Sequence, residues 1–171
     1  MKSKTVSLLE NTASPYYSAS SKSKPKVSNY AMPEVQTKNS ISVSICGSYH
    51  RHLKEMRRLI SECKRLGIYV HIPRYAIKKS STNGFVYLRG EHGTPRYLQD
   101  KNFRAIESSS FLLVVNPKGY IGPSTSMEIG YAIAKRIPIF CTDKPEDYVF
   151  QLYTEYGKSL PEIKEILLGS S

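Results

Sequence analysis

Apolar and polar residues alternate from Ile41 to Cys46, with β-branched side chains in the run, and Gly47-Ser48 ends it; this predicts a strand. The period then becomes helical. Leu53, Met56, Leu59, Ile60, Cys63 and Leu66 fall on one face, and Gly67 is the expected C-terminal stop. Ile68-Tyr-Val-His-Ile72 reads as a second strand, closed by Pro73. Strand, helix and strand with such short joints form a βαβ unit, hence a parallel pair.

From Arg74 to Pro95 the pattern dissolves, although Asn83-Gly84 beside Phe85-Val-Tyr-Leu88 is the signature of a small hairpin. A segment this long between core elements is often a lid or binding loop. A second helix is predicted over Arg96 to Ser109, burying Leu98, Phe103 and Ile106. Phe111-Leu-Leu-Val-Val115 is continuously apolar, as a central parallel strand should be. After the turn-rich Asn116 to Pro123 loop, a third helix is expected from about Thr125 to Lys135. Ile137 to Cys141 gives a fourth strand, whose proline belongs near an edge or a strand start. One or two helices finish the chain, the last opened by Pro161. The expected fold is α/β: an open, mostly parallel sheet flanked by helices, a flavodoxin-like or Rossmann-like three-layer sandwich.

Residues 1–40 are rich in Ser, Lys, Pro and Asn without any sustained period, and read as a disordered basic leader before a domain over 41–171. The leader has no apolar core of a secretory signal, and its Ser-rich, acid-poor composition lacks the arginines of a transit peptide. An apolar share of 40% suffices for a core without staples, and no apolar run is long enough to span a membrane. Cys46, Cys63 and Cys141 make an odd count without metal or disulfide spacing, so they are expected as small buried thiols in a reducing, cytoplasmic setting. The net charge of +11 favours phosphate-bearing partners, from mononucleotides to nucleic acid; the plain alternative is a solvated helix face plus a soluble tail.

In open parallel sheets the ligand crevice lies at the carboxyl ends of the strands. Gly47-Ser48-Tyr49, the Asn116–Thr125 loop and Glu128 should therefore share one rim. In the first loop Gly47 can admit a ligand to the backbone and Ser48 can donate to it; the alternative is Gly for the turn and Ser as helix cap. Neither GxGxxG nor GxxxxGK[ST] is present, so a dinucleotide or P-loop site has no support. Thr125-Ser-Met-Glu128 fits a capping box, in which Glu128 bonds back to the helix start. The other reading is a carboxylate near helix N–H groups, ionised and able to attack, because its neighbours Met127, Ile129 and a small, tightly packing Gly130-Tyr-Ala132 argue against a solvated cap. The histidines at 50, 52, 71 and 92 show no metal spacing, so neither metal nor cofactor is expected.

Ile45-Cys-Gly-Ser48, the run from Ile106 to Asn116 ending Leu-Leu-Val-Val-Asn, and Gly119-Tyr-Ile-Gly-Pro-Ser-Thr-Ser-Met-Glu-Ile-Gly-Tyr-Ala132 resemble the nucleoside 2-deoxyribosyltransferase-like superfamily. That group includes nucleoside 5′-monophosphate N-glycosidases. The resemblance spans about Ile41 to Thr142. It implies that Glu128 attacks the anomeric carbon and expels the base, as in a retaining glycosidase. It assigns Gly47, Ser48 and Tyr49 to the pocket, Tyr49 with a catalytic part. Ser124, Thr125 and Ser126, with Asn116 and Gly122, would contact sugar or 5′-phosphate. Two departures stand out. Ser109-Ser110 replaces the family's Ser-Asp before the central strand. The acidic residue of the preceding helix is matched by Asn102, a substrate contact in this reading, with Asp100 two positions upstream as the expected acid. The resemblance also implies a homodimer, for which the Tyr-rich stretch from Tyr148 to Tyr156 is a candidate surface.

The expected function is cleavage, or transfer, at the N-glycosidic bond of a nucleotide or nucleoside, with a 5′-phosphorylated substrate preferred and hydrolysis ahead of transfer. The alternative is a non-catalytic nucleotide sensor using the same pocket. Nucleic-acid binding by the basic tail and lid lacks any reader motif, and a phosphoribohydrolase would want a Pro-Gly-Gly-x-Gly-Thr block that this chain does not have.

Overall fold

The computed structural model describes residues 40–82 and 85–169; the leader expected over 1–40, Ser40 excepted, and the Asn83-Gly84 turn lie outside the described residues. Alternation sets the first strand, β1 (Ser42–Gly47). Val43 and Ile45 face one layer and Cys46 the other. The fully buried central strand β5 (Phe111–Val115) repeats this logic, with Phe111, Leu113 and Val115 on the first side and Leu112 and Val114 on the second. Around these two run β2 (Tyr69–Ile72), β6 (Ile139–Cys141) and a two-residue β7 (Glu155–Tyr156). The sheet order is β2-β1-β5-β6-β7 and every neighbouring pair is parallel. Pro138 stands just before β6, at a strand start as expected.

Helices cover both faces, giving three layers. The face carrying Val43, Ile45 and Phe111 packs α1 (Leu53–Arg65) through Met56, Leu59, Ile60 and Cys63, and α5 (Leu160–Gly169) through Leu160 and Ile163. The opposite face packs α2 (Pro95–Glu107) through Ile106 and α3 (Pro123–Ala134) through Ile129 and Ala132. Pro161 stands in the first turn of α5. A short α4 (Tyr148–Tyr153) buries none of its residues. The expected hairpin is β3 (Lys78–Thr82) paired antiparallel with β4 (Phe85–Leu88), a separate two-stranded sheet.

Ser109 and Ser110, the departure from Ser-Asp, lock the sheet to α2. The Ser109 hydroxyl lies 2.8 Å from the buried Ser44 hydroxyl and also donates to the Ala105 carbonyl at 2.8 Å. Ser110 Oγ accepts the Ser42 N–H at 3.0 Å, and Ser42 Oγ accepts the Ser110 N–H at 3.2 Å. These groups satisfy one another inside the second layer, where an unpaired polar atom would be costly.

The first joint departs from the expected cap. The N-cap of α1 is His52, and Ser48–His52 is a turn in which the Ser48 carbonyl accepts the N–H groups of Arg51 and His52. Ser48 is therefore not the cap. Gly47 has φ +145°, and a Cβ there would come within 2.5 Å of the Val115 carbonyl oxygen and 2.8 Å of Met56 Cε. The demand for glycine thus comes from the protein's own packing between β1, β5 and α1. We predict that Gly47→Ala destabilises the fold by about 2–4 kcal/mol, combining backbone strain with overpacking. Urea denaturation of the two proteins measures it.

Candidate functional site

A cavity of about 250 Å³ opens at the carboxyl ends of β1 and β5. This is the switch point of the strand order, since the connections from these adjacent strands leave in opposite directions. Gly47, Ser48, Tyr49 and His50 form one wall and the first turn of α3, from Gly122 to Thr125, forms another. Phe85, Val86 and Glu91 reach in from the hairpin and the segment after it, while Leu98, Gln99 and Asn102 come from α2. Tyr120 and Glu128 complete the lining.

α3 begins two residues earlier than expected. Pro123 is its first residue and Gly122 its cap, so Thr125 lies inside the first turn and Glu128 a turn further on. The capping-box reading of Thr125 and Glu128 is thereby corrected, as is the expectation of helix N–H groups around the carboxylate. Glu128 instead crosses to α2. Its Oε1 accepts from Gln99 Nε2 at 3.1 Å and from Asn102 Nδ2 at 3.1 Å. Gln99 and Asn102 stand three apart on one helix face, so both amides converge on the same oxygen. The Cys46 thiol supplies a further hydrogen bond.

Glu128 is only 5% exposed. Burial raises its pKa above the usual carboxylate value, and the hydrogen bonds from Gln99, Asn102 and Cys46 pull the other way without cancelling that rise. Cys46 is held well above the ordinary thiol range, first by burial and then by the Glu128 charge, so it remains a neutral S–H donor. Tyr49 is likewise held well above the phenol range by burial, then by Glu128 and Glu91. Its hydroxyl keeps its proton and can donate. The three cysteines are free and buried.

The remaining expected site residues divide. Tyr49, Gly47, Ser48, Asn102, Gly122, Ser124 and Thr125 meet Glu128 in the one cavity. Asp100 does not: it is exposed on α2 and outside the lining. Two residues before Asn102, it is rotated by about 200° around the helix. Asn116 is fully buried and spent on a clamp. Its Nδ2 donates to the Asp143 carbonyl at 2.9 Å, and its Oδ1 accepts from the Asp143 N–H at 3.1 Å and Thr142 Oγ1 at 3.2 Å. Ser126 turns back on its own helix, donating to the Gly122 carbonyl at 3.1 Å. Gly130 is exposed, with open space where a Cβ would stand, so the expected tight packing falls on Ala132.

Several lining groups were not foreseen from sequence, notably Gln99, Glu91 and Tyr120. Beside the cavity, the Arg51 guanidinium lies 4.0 Å over the Tyr120 ring, and His52 meets that ring edge-on. Among the described residues no lysine or arginine lines the cavity, and its acidic side chains are Glu91 and Glu128. Among the described residues, no three or more His, Cys, Asp or Glu side chains gather as a metal site, and no helix is long and apolar enough to cross a membrane.

No family model matches the chain, and no curated protein is a significant match. Solved structures of similar shape include a CMP N-glycosidase, BcmB, from Clostridium botulinum (17% identity, covering 67% of this chain and 84% of that one, TM-score 0.46). Another is a conserved protein from Enterococcus faecalis V583 (14%, 78% and 100%, TM-score 0.45). A third is DNA processing protein A from Helicobacter pylori, described for its single-stranded DNA binding (10%, 76% and 81%, TM-score 0.52). The first two superpose too loosely to argue from. The third supports the α/β fold and nothing beyond it.

The raised pKa of Glu128 has a stability consequence. The folded protein holds this proton to higher pH than the unfolded chain does, so stability falls as pH rises through the window between the two values. Glu128→Gln can still offer a carbonyl to Gln99 and Asn102 while removing the buried charge. Its Tm should exceed that of the wild type above neutral pH, and the gap should close on acidification into the ordinary carboxylate range. Thermal unfolding across pH checks the sign.

Proposed function

We propose that the chain cleaves the N-glycosidic bond of a nucleotide or nucleoside, with Glu128 as the nucleophile. One observation carries the reading: a buried carboxylate with a single oxygen tied to two amides, facing a cavity large enough for a sugar and part of a base. The amides fix the carboxyl plane and leave Oε2 clear of both. A desolvated carboxylate also stabilises the positive charge that develops on the sugar as the base departs. Oε2 attacks the anomeric carbon, the carbon–nitrogen bond breaks with its electron pair going to the base, and a sugar ester forms. Water then attacks the same carbon and frees the carboxylate. Gln99, Asn102 and Cys46 are positioning residues in this scheme.

A 5′-phosphate finds acceptable surroundings near the cavity mouth. The first turn of α3 has N–H groups at Ser124 and Thr125 with no intrahelical acceptor, and Arg51 stacks on Tyr120 in the wall. With no lysine or arginine among the described lining residues, the phosphate belongs toward Arg51 and the base and sugar inside.

A second reading, a non-catalytic nucleotide sensor, is favoured by one feature: α2 offers the cavity amides where the resembling family has an acid, and Asp100 is exposed. The readings part on one comparison. If the enzyme reading holds, the wild type releases free base from a panel of nucleoside 5′-monophosphates. Glu128→Gln should then lower release by at least about 10³-fold, as expected for loss of a nucleophile, while still giving a thermal shift with the same compounds. A thermal shift in the wild type without any base release supports the sensor and contradicts the enzyme.

A further inference from the structure

The cavity contains a second carboxylate that the sequence did not single out. Glu91 follows β4, is half-buried, and lines the same space as Glu128. Its Oε2 accepts the Leu88 N–H at 2.8 Å, a bond that fixes the side chain to the hairpin and leaves Oε1 outside that contact. Tyr49 lines the same space as both carboxylates. α2 supplies only the amides of Gln99 and Asn102, which donate to Glu128 and have no proton to give a leaving group.

We infer that Glu91 is the acid and base partner of Glu128, supplied by the hairpin segment in place of the missing acid on α2. This inference rests on the glycosidic reading above. In the first step Glu128 Oε2 bonds to the anomeric carbon, the carbon–nitrogen bond breaks, and the carboxyl proton of Glu91 passes to the base nitrogen that receives the electron pair. In the second step Glu91, now a carboxylate, takes a proton from water as the water oxygen bonds to the anomeric carbon. The ester bond breaks and Glu128 leaves as a carboxylate, so protons and charges return to the start. Tyr49, whose phenol is held well above its usual range by burial and then by the nearby carboxylates, keeps its proton across the neutral range and lines the same cavity.

The assignment predicts a dependence on the leaving group that a structural role would not produce. Glu91→Gln retains an acceptor for the Leu88 N–H but cannot transfer a proton. It should slow release of a natural base from nucleoside 5′-monophosphates by about 10²–10⁴-fold, the usual worth of general acid catalysis. The burst of nitrophenolate from 4-nitrophenyl riboside, whose leaving group departs without protonation, should stay within a few-fold of wild type. Glu91→Asp and thermal unfolding control for misfolding. Equal slowing of both substrates, or no slowing of either, overturns the assignment, as does transfer of the same leaving-group contrast to His50→Asn. The burst also separates glycosidic cleavage itself from the role of Glu91. Wild-type cleavage of the nitrophenyl riboside that is lost in Glu128→Gln upholds the glycosidic reading even when the Glu91 assignment fails. A wild type that cleaves no glycoside of either kind removes both.

Discussion

A carboxylate with 5% exposure at the end of a parallel sheet is expensive to keep unless donors surround it. Here two side-chain amides and a thiol meet Glu128, and each comes from an element whose position the sheet dictates. Cys46 stands near the end of β1, Gln99 and Asn102 lie a turn apart on α2, and Glu128 looks across from α3. The contact between α2 and α3 is therefore more than apolar packing through Ile106, Ile129 and Ala132. It orients a polar group whose burial the fold alone would disfavour.

The strand order supplies the space in front of it. β1 and β5 are neighbours, yet the chain leaves β1 toward β2 and leaves β5 toward β6, so the loops after them part and open a crevice. Close approach at its base demands glycine at 47, where any Cβ would strike the Val115 carbonyl. The buried Asn116 clamp ties the end of β5 to Thr142 and Asp143 after β6. Lys118 donates its N–H to Asp143 Oδ2 at 2.7 Å, pinning the turn that brings Tyr120 and Gly122 to the wall. Asn116 shapes the site from behind and need not touch a ligand to do so.

The layers were legible because periodicity reports burial directly. The alternation in β1, the apolar run in β5 and the one-sided helix α1 each matched what the structure buries. The start of α3 was misjudged because two end signals compete over four residues. Thr125-x-x-Glu128 imitates a capping box, but Gly122 followed by Pro123 at the first helical position is the signal that prevails. Asp100 is the acid nearest Asn102 in the sequence, but helix phase turns it outward and places Gln99, three before Asn102, on the inner face. Gln99 and Glu91 could not have been read as lining one cavity. Their meeting depends on how α2 and the hairpin segment dock on the sheet, and no local pattern encodes that.

On the proposed reading, a covalent bond forms between Glu128 and a sugar. A nucleoside 5′-monophosphate bearing fluorine at the sugar 2-position should let the ester form and slow its hydrolysis. Intact-protein mass spectrometry should then show a gain equal to one fluorinated sugar phosphate, mapping to the α3 peptide that contains Glu128 and missing from Glu128→Gln. Free base released with no adduct, or an adduct on any other residue, would contradict the account.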